Sequence, residues 1–485
     1  MKHPDWALKH KVKNTELRNI RGRYYLYKIT SRWDPLKKRT KKVTLEMLGT
    51  ITEKDGLIPK GQSKKGRRSK DREPRIVSTK EYGATKFLQN ISKDIIDALK
   101  KYYPKDWQSL FVLAINRLIY QTPLKNCEFL FEESFLSEEF TEPKLNKRDL
   151  TGLMQTIGSN RENISKFLRQ FINGSEHIVF DATHITSLSK KAKLAQKGYN
   201  SSSDYDPQVN LFYMFSIDKQ EPNYYRLFPG NIQGTSALQH CLNESQLKNC
   251  IAIGDKGFCS EKNLGLLENA GLRYILPLKR DSKLIDYTRL KFRSYDVAFD
   301  GHFMYQDRPI FYTLLEENQG KKVIVYTDKR LALDEEKTYL NRVNIEKEGY
   351  NMDEYKLKQM KFGTISMITN CVTDSPQKIY ESYKSRMEIE MVFDSYKNLL
   401  GADKTYMQSD NAMESWVFIN HIATMLYYRI FNLLKTQKLL SSISPYDLLM
   451  KLARINKVKI NSEWVTSEIN SKTAKLIKKL KLLVT

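Results

Sequence analysis

Acidic residues are scarce in this 485-residue chain, with 56 Asp and Glu against 81 Lys and Arg and a formal net charge of +25. That excess is more than solubility asks for, and it points to a polyanionic partner, nucleic acid first. Cysteines are few and odd in number, at Cys127, Cys241, Cys250, Cys259 and Cys371. They have neither the short paired spacing of a zinc site nor the even count of a disulfide framework, so reduced thiols in a cytosolic compartment are expected. Long apolar runs are missing too: the most apolar stretch, Trp416 to Leu434, is broken by Asn420, His421 and Arg429. A buried helix fits it better than the roughly 20-residue span a membrane demands. Met1 leads into polar, charged residues with no apolar core of a secretory signal, so a cytoplasmic protein with no membrane partner is expected.

What is present divides the chain. The length and a 40% hydrophobic content suffice for several cores, and the expected architecture is multi-domain α/β. Residues 1–75 hold 23 Lys and Arg against 8 Asp and Glu and read as a basic N-terminal β arm with a linker. Tyr24 to Thr30 and Lys42 to Leu48, either side of an Asp34-Pro35 turn, predict a hairpin. The run Lys64 to Lys70 has no apolar periodicity and reads as a basic linker or a phosphate contact. Apolar residues at spacings of three and four make 76–176 a helical domain. From 177 to 280 strands at Ile178 to Asp181, Val209 to Phe215 and Tyr224 to Phe228 give way to alternating helix and strand, the first part of an α/β core. Residues 281–362 read as a β-rich insertion. The core resumes over 363–435 with Thr364 to Thr369, one long helix from about Pro376 to Leu400 and another from Ala412 to Leu434. Residues 436–485 end in a basic amphipathic helix.

The chemistry gathers around the helix after Thr369. At 100° per residue, Tyr383, Arg386, Glu390 and Lys397 fall within about a 60° arc. Taken alone, such a stripe is equally a surface ladder of ion pairs. Two further acids change the reading: Asp181 ends the apolar run Ile178-Val179-Phe180, and Asp255 ends Ile251-Ala252-Ile253-Gly254. Each is placed where a buried strand emerges, which is where sites are built. Three carboxylates from two strands and a helix could hold two divalent ions roughly 3.5–4 Å apart for in-line phosphodiester chemistry. Magnesium suits such all-oxygen ligands.

The spacing of Tyr383, Arg386, Glu390 and Lys397 resembles, without a gap, the tyrosine-arginine-glutamate-lysine signature of bacterial insertion-sequence transposases of the IS-four type, which carry a DDE triad. Asp181-Ala182-Thr183 and Asp255-Lys256-Gly257-Phe258 are similar to that family's other two motifs, and Thr369-Asn370 and the long segment before Glu390 are also similar. The resemblance covers roughly His177 to Leu434. It implies a ribonuclease-H-like core, interrupted by the β-rich insertion, that cleaves DNA at terminal inverted repeats and joins the 3′-OH ends to target DNA. Asp181, Asp255 and Glu390 would ligate two Mg2+ or Mn2+ ions. Tyr383, Arg386 and Lys397 would hold the DNA backbone, and 76–176 would be a DNA-binding domain. The implied partners are double-stranded DNA and, in the synaptic complex, a second copy of the chain; the implied place is the bacterial cytoplasm at the nucleoid. Some relatives stack a flipped base on a tryptophan of the insertion. Here the tryptophans are Trp6, Trp33, Trp107, Trp416 and Trp464, so that role would pass to Phe303, Tyr305, Phe311 or Tyr312.

Other residues compete. Asp394 shares a helix face with Glu390, while Glu388 points away and reads as solvated. His184 follows Asp181 on the opposite strand face and reads as packed or hydrogen-bonded, and His421 as core. Cys250 and Cys259 flank Asp255 with no second pair to complete a zinc site. Trp33 could stack on DNA or fill a small apolar face. Two rival functions remain at this point: a nuclease on the same fold without strand transfer, and an inactive DNA-binding regulator.

Overall fold

The computed structural model describes residues 3–34, 39–61, 78–141, 143–172, 177–198, 206–232, 234–290, 299–318, 320–460 and 462–482. The Pro35 turn and the Lys64 to Lys70 run lie outside them. The chain divides into two compact units, Met1–Ile76 and Val77–Thr485.

In the first unit a short helix, α1 (Asp5–Leu8), precedes four antiparallel strands, β1 (Thr15–Ile20), β2 (Arg23–Asp34), β3 (Arg39–Thr52) and β4 (Gly56–Pro59), side by side in that order. The expected hairpin is β2 with β3, running from Tyr24↔Ile51 to Asp34↔Arg39 with two bulges. The outer strands escape the pattern because β1 alternates Glu16, Arg18 and Asn19 with few apolar residues. A small core of Ala7, Leu17, Leu26 and Ile51 is covered by Trp6 and Tyr24, whose rings meet edge-on at 5.1 Å. Trp6 therefore fills the apolar face, and Trp33 stands 63% exposed at the far end of β2.

The second unit begins with β5 (Ser78–Glu81) and seven helices: α2 (Gly83–Ile91), α3 (Lys93–Tyr102), α4 (Trp107–Tyr120), α5 (Cys127–Glu132), α6 (Leu136–Glu139), α7 (Lys147–Ser159) and α8 (Arg161–Arg169). Helix α4 is apolar almost all round and is buried from Ser109 to Ile119, as a helix enclosed on every side must be.

Next come β6 (His177–Ser187), β7 (Gln208–Ser216), β8 (Glu221–Pro229), α9 (Gly234–Ser245), β9 (Ile251–Ile253), α10 (Glu261–Asn269) and β10 (Arg273–Pro277). Then follow β11 (Gly301–Tyr305), β12 (Arg308–Asn318), β13 (Lys321–Asp328), α11 (Lys329–Asn344), α12 (Met352–Lys358) and β14 (Thr364–Thr369). These strands form one mixed sheet in the order β11-β12-β13-β14-β10-β9-β6-β7-β8. Strands β6, β7 and β8 are antiparallel neighbours, and β9 runs parallel to both β6 and β10. The central β9, Ile251-Ala252-Ile253, is buried throughout, which is why it reads as a continuous apolar run.

Residues 281–362 depart from the β-rich expectation in two ways. They contain helices α11 and α12 beside the strands, and β13 pairs with β14 over six residues, so the strands widen the core sheet. The long α11 is hard to see in the sequence because only Tyr339 on it is buried, leaving little apolar periodicity to detect.

The segment after β14 also departs from expectation. The single helix predicted over 376–400 is two helices, α13 (Pro376–Lys384) and α14 (Met387–Asp394), followed by a π-turn at Ser395–Leu399. Ser385 sits at the joint with its hydroxyl donating to the Glu381 carbonyl at 3.0 Å, a back-bond that competes with the helix ladder and bends it. The peptides of Arg386, Glu388 and Ile389 then bond three residues back, tightening the turn. A two-residue strand, β15 (Lys404–Thr405), lies beside the end of β6. The 27-residue α15 (Asp410–Thr436) is largely buried and packs on α4, α7 and β8. Helix α16 (Pro445–Leu452), strands β16 (Asn456–Ile460) and β17 (Glu463–Thr466), and α17 (Ser471–Leu480) complete the unit, with β16 pairing back on β5. Among the described residues no helix is long and apolar enough to cross a membrane.

Candidate active site

Asp181 lies in the middle of β6, where the strand passes from the buried stretch Ile178-Val179-Phe180 to half-buried residues. The strand, expected to end at Asp181, continues to Ser187, held by β7 and β15. Asp255 does sit past the end of its strand, at the start of a tight 3-10 turn, Lys256–Phe258. That turn is pinned by Phe258, a buried ring edge-on to Phe180 at 4.8 Å. Gly254 lets the chain pass: a Cβ there would lie 2.7 Å from the Phe180 ring. Thr369 and Asn370 clasp β10: the Tyr274 carbonyl accepts from the Thr369 hydroxyl at 2.6 Å, and the Tyr274 amide donates to Asn370 Oδ1 at 2.7 Å. This clasp sets the direction in which the chain leaves the sheet toward α13 and α14.

Arg386, at the joint between those helices, joins the acids. Its Nη1 donates to Asp181 Oδ2 at 3.2 Å and its Nη2 to Glu390 Oε1 at 2.9 Å. Burial would by itself lower the Arg386 pKa, but Tyr383, Asp181, Asp255 and Glu390 outweigh it and raise it. Asp181 is pushed up to about 6 by burial first of all, with the Ala182 amide and Arg386 opposing and Asp255 and Glu390 adding repulsion. Tyr383 is likewise raised by burial, within the field of Arg386, Asp255 and Glu390. Five of the six expected residues thus share one electrostatic neighbourhood. Lys397 is the exception. It stands half-buried on the π-turn, its pKa lowered by burial, with Asp403 as the charge acting on it.

The donor set fits a hard divalent ion, being three carboxylates with no soft ligand among them. Among the described residues no three His, Cys, Asp or Glu side chains stand close enough together to hold a metal, and the Arg386 guanidinium is the cation between two of these acids. The competing residues fall elsewhere. Asp394 accepts from Asn398, and Glu388, expected to be solvated, is half-buried and acts on Tyr428. His184 pairs in register with Asn210 of β7. His421 is wholly buried, its Nδ1 lying 2.7 Å from the Tyr213 hydroxyl, and burial takes its pKa down to about 3. None of the five cysteines is in a disulfide. In 281–362, Phe303 is buried against Tyr326 and Tyr380, whereas half-buried Phe311 stacks on Phe299 at 4.8 Å under the Lys329 ammonium.

Residues 172–426, just over half of the chain, match the family described as Transposase DDE domain. The chain belongs to the DDE transposases. This transposase is similar to a solved structure, a cryo-EM piggyBac transposase synaptic complex with hairpin DNA, at 10% identity and a TM-score of 0.40, over 77% of this chain and 79% of that one. No curated protein matches the transposase sequence. Sequence patterning gives no sign of the loop 401–409, which runs from the π-turn past the end of β6 and carries exposed Lys404 and Tyr406. It has no periodicity to betray it.

Proposed function

We propose that this transposase cuts DNA at the terminal inverted repeats of its element and joins the freed 3′-OH ends to target DNA, with Asp181, Asp255 and Glu390 as its triad. The observation that carries the reading is the meeting of β6, the turn after β9, and α14 around Arg386, which puts acids 74 and 135 residues apart in sequence into one field. The strand order β8-β7-β6-β9-β10, antiparallel on one side of β6 and parallel on the other, is the order a ribonuclease-H-like core has, and it supports that fold. The tyrosine-arginine-glutamate-lysine spacing supports the bacterial insertion-sequence branch.

Asp181, Asp255 and Glu390 would hold two Mg2+ or Mn2+ ions. Bound ions supply a lowered pKa for the attacking hydroxyl and neutralise charge on the leaving oxygen. Arg386 then serves a phosphate: its planar fork suits non-bridging oxygens as well as carboxylates. The Tyr383 hydroxyl donates a hydrogen bond to the same backbone, and Lys397 contributes charge further along it. Double-stranded DNA is the partner that a +25 chain favours, and two copies of the chain bring two ends together.

The test uses purified protein and a plasmid carrying the DNA that flanks the reading frame, with magnesium, manganese or chelator. Metal-dependent cuts at the element's ends, followed by strand transfer into a second plasmid, are expected. Glu390→Gln and Asp181→Asn should abolish both while binding DNA nearly as wild type does. Cleavage by Glu390→Gln at the wild-type rate would refute the triad, and cleavage without joining would make the protein a nuclease.

A further inference from the structure

The second unit holds a cavity of about 730 Å³ away from the three acids, walled by α4, α7, the loop 401–409 and the start of α15. Its charge is one-sided. Lys125, Lys147 and Lys404 line it together with Arg117, and none of its lining residues is acidic. Among the described residues the three lysines have no carboxylate partner and are exposed, so their ammonium groups are open to an anion. The walls between them are soft and flat: Trp416 is buried at the base, Met407 is half-buried, and Tyr406 is 68% exposed at the mouth.

Arg117 plays a different part. It is buried, and its Nε donates to Asn420 Oδ1 at 3.0 Å, its Nη1 to the Thr122 carbonyl at 2.8 Å, and its Nη2 to the Leu400 carbonyl. It therefore fixes the point where the loop leaves the π-turn. Gln155 Nε2 donates to Ser409 Oγ at 2.7 Å and closes the loop's other end on α7. A slot whose ends are held in this way is formed before any ligand arrives.

Resting on the transposase reading, we infer that this cavity receives an unpaired nucleotide of a DNA strand, its base against Tyr406, Met407 and Trp416 and its phosphates on Lys404, Lys125 and Lys147. Aromatic faces interleaved with cations are what single-stranded DNA binds, and a duplex is too wide to enter a slot of this size. The place agrees with the chemistry. Lys404 and Thr405 pair with Thr186 and Ser187 at the end of the strand that bears Asp181, about 20 Å along β6 from that acid. A strand freed by cutting at Asp181 has its end, or the bases beside it, within reach of the slot.

Full-length protein in chelator, so that nothing is cut, is titrated with a short labelled oligothymidylate and separately with a blunt duplex. Tyr406→Ala should weaken the single strand about five- to a hundredfold, the range that base–aromatic stacking supplies, and leave the duplex within about twofold. Lys404→Gln should reduce the salt slope of single-strand binding by about 0.7. Wild type that binds duplex only, or variants that bind the oligothymidylate as wild type does, would overturn the slot and leave the transposase reading standing. Failure to bind either DNA would overturn both. Free dTMP competing as strongly as the oligonucleotide would make the slot a mononucleotide site and overturn a role for a strand.

Discussion

Asp181 and Glu390 share one guanidinium, and the consequences are local. Asp181 and Glu390 are held by Arg386 at 3.2 and 2.9 Å, and removing the cation leaves them to repel each other. Arg386→Ala should lower stability in metal-free buffer by on the order of 1–3 kcal/mol, chiefly through the half-buried Asp181, and added magnesium should raise its Tm by more than it raises that of wild type, as thermal melts with and without the ion will show. An equal magnesium response would mean that Arg386 and the ion do not compete for these oxygens. A second acid titrates far from the site. Glu81 is 8% exposed, Oε1 accepts from the Ala84 amide at 2.7 Å, and burial lifts its pKa to about 7 from 4.5. A folded-state pKa above the unfolded one means the folded protein binds the extra proton, so stability falls as pH rises from about 4.5 through 7. Glu81→Gln should therefore be more stable than wild type at pH 8, by up to roughly 3 kcal/mol, and no more stable at pH 4; a gain that is the same at both pH values would contradict the assignment. The triad residues stand out in sequence because each ends an apolar run or belongs to a spaced motif. Arg117 and Glu81 do not, since nothing local marks a charged residue that the fold will enclose.

Elements meet where side chains are small or bent. Gly158 of α7 faces the backbone of Asn411, and a Cβ there would overlap the Asn411 carbonyl. Gly158→Ala should force α7 away from α15 and cost about 1–3 kcal/mol or more, read as a fall in the denaturation midpoint with an unchanged m-value. Gly254→Ala would press on the Phe180 ring, which is buried and packed on Phe212 and Phe258, so it should lower the midpoint and, by shifting the turn that bears Asp255, reduce cleavage as well. The joint at Ser385 belongs to the same scale. Helical periodicity alone draws one rod through Tyr383, Arg386 and Glu390, and only the back-bond to Glu381 reveals the break. Because Arg386 and Glu390 stay four residues apart on α14 and its cap, that pair survives the break, while Lys397 is carried round by the π-turn.

Across the molecule, charge is the organising quantity. The first 75 residues carry 23 of the 81 Lys and Arg, and that unit has its own sheet and core. Residues 77–485, expressed alone, should melt at the temperature of the larger transition of the full chain. Their DNA affinity should fall less steeply with salt, each lost phosphate contact lowering the slope by about 0.9. Identical salt slopes would show that the basic unit does not touch DNA.

Composition and local pattern were enough to mark a basic α/β chain, the strand that carries Asp181 and the one that leads into Asp255, and the four spaced residues before Leu400. These follow from periodicities of two and 3.6 residues and from spacing along one chain, which are properties a linear string can hold. The tertiary structure alone decided that β11 to β13 widen the core sheet, that Arg386 lies between two acids 209 residues apart in sequence, and that α4, α7 and the loop 401–409 enclose a lysine-lined slot. Each of those is a meeting of segments distant in sequence, and which segments meet is set by how the whole apolar surface can be buried at once.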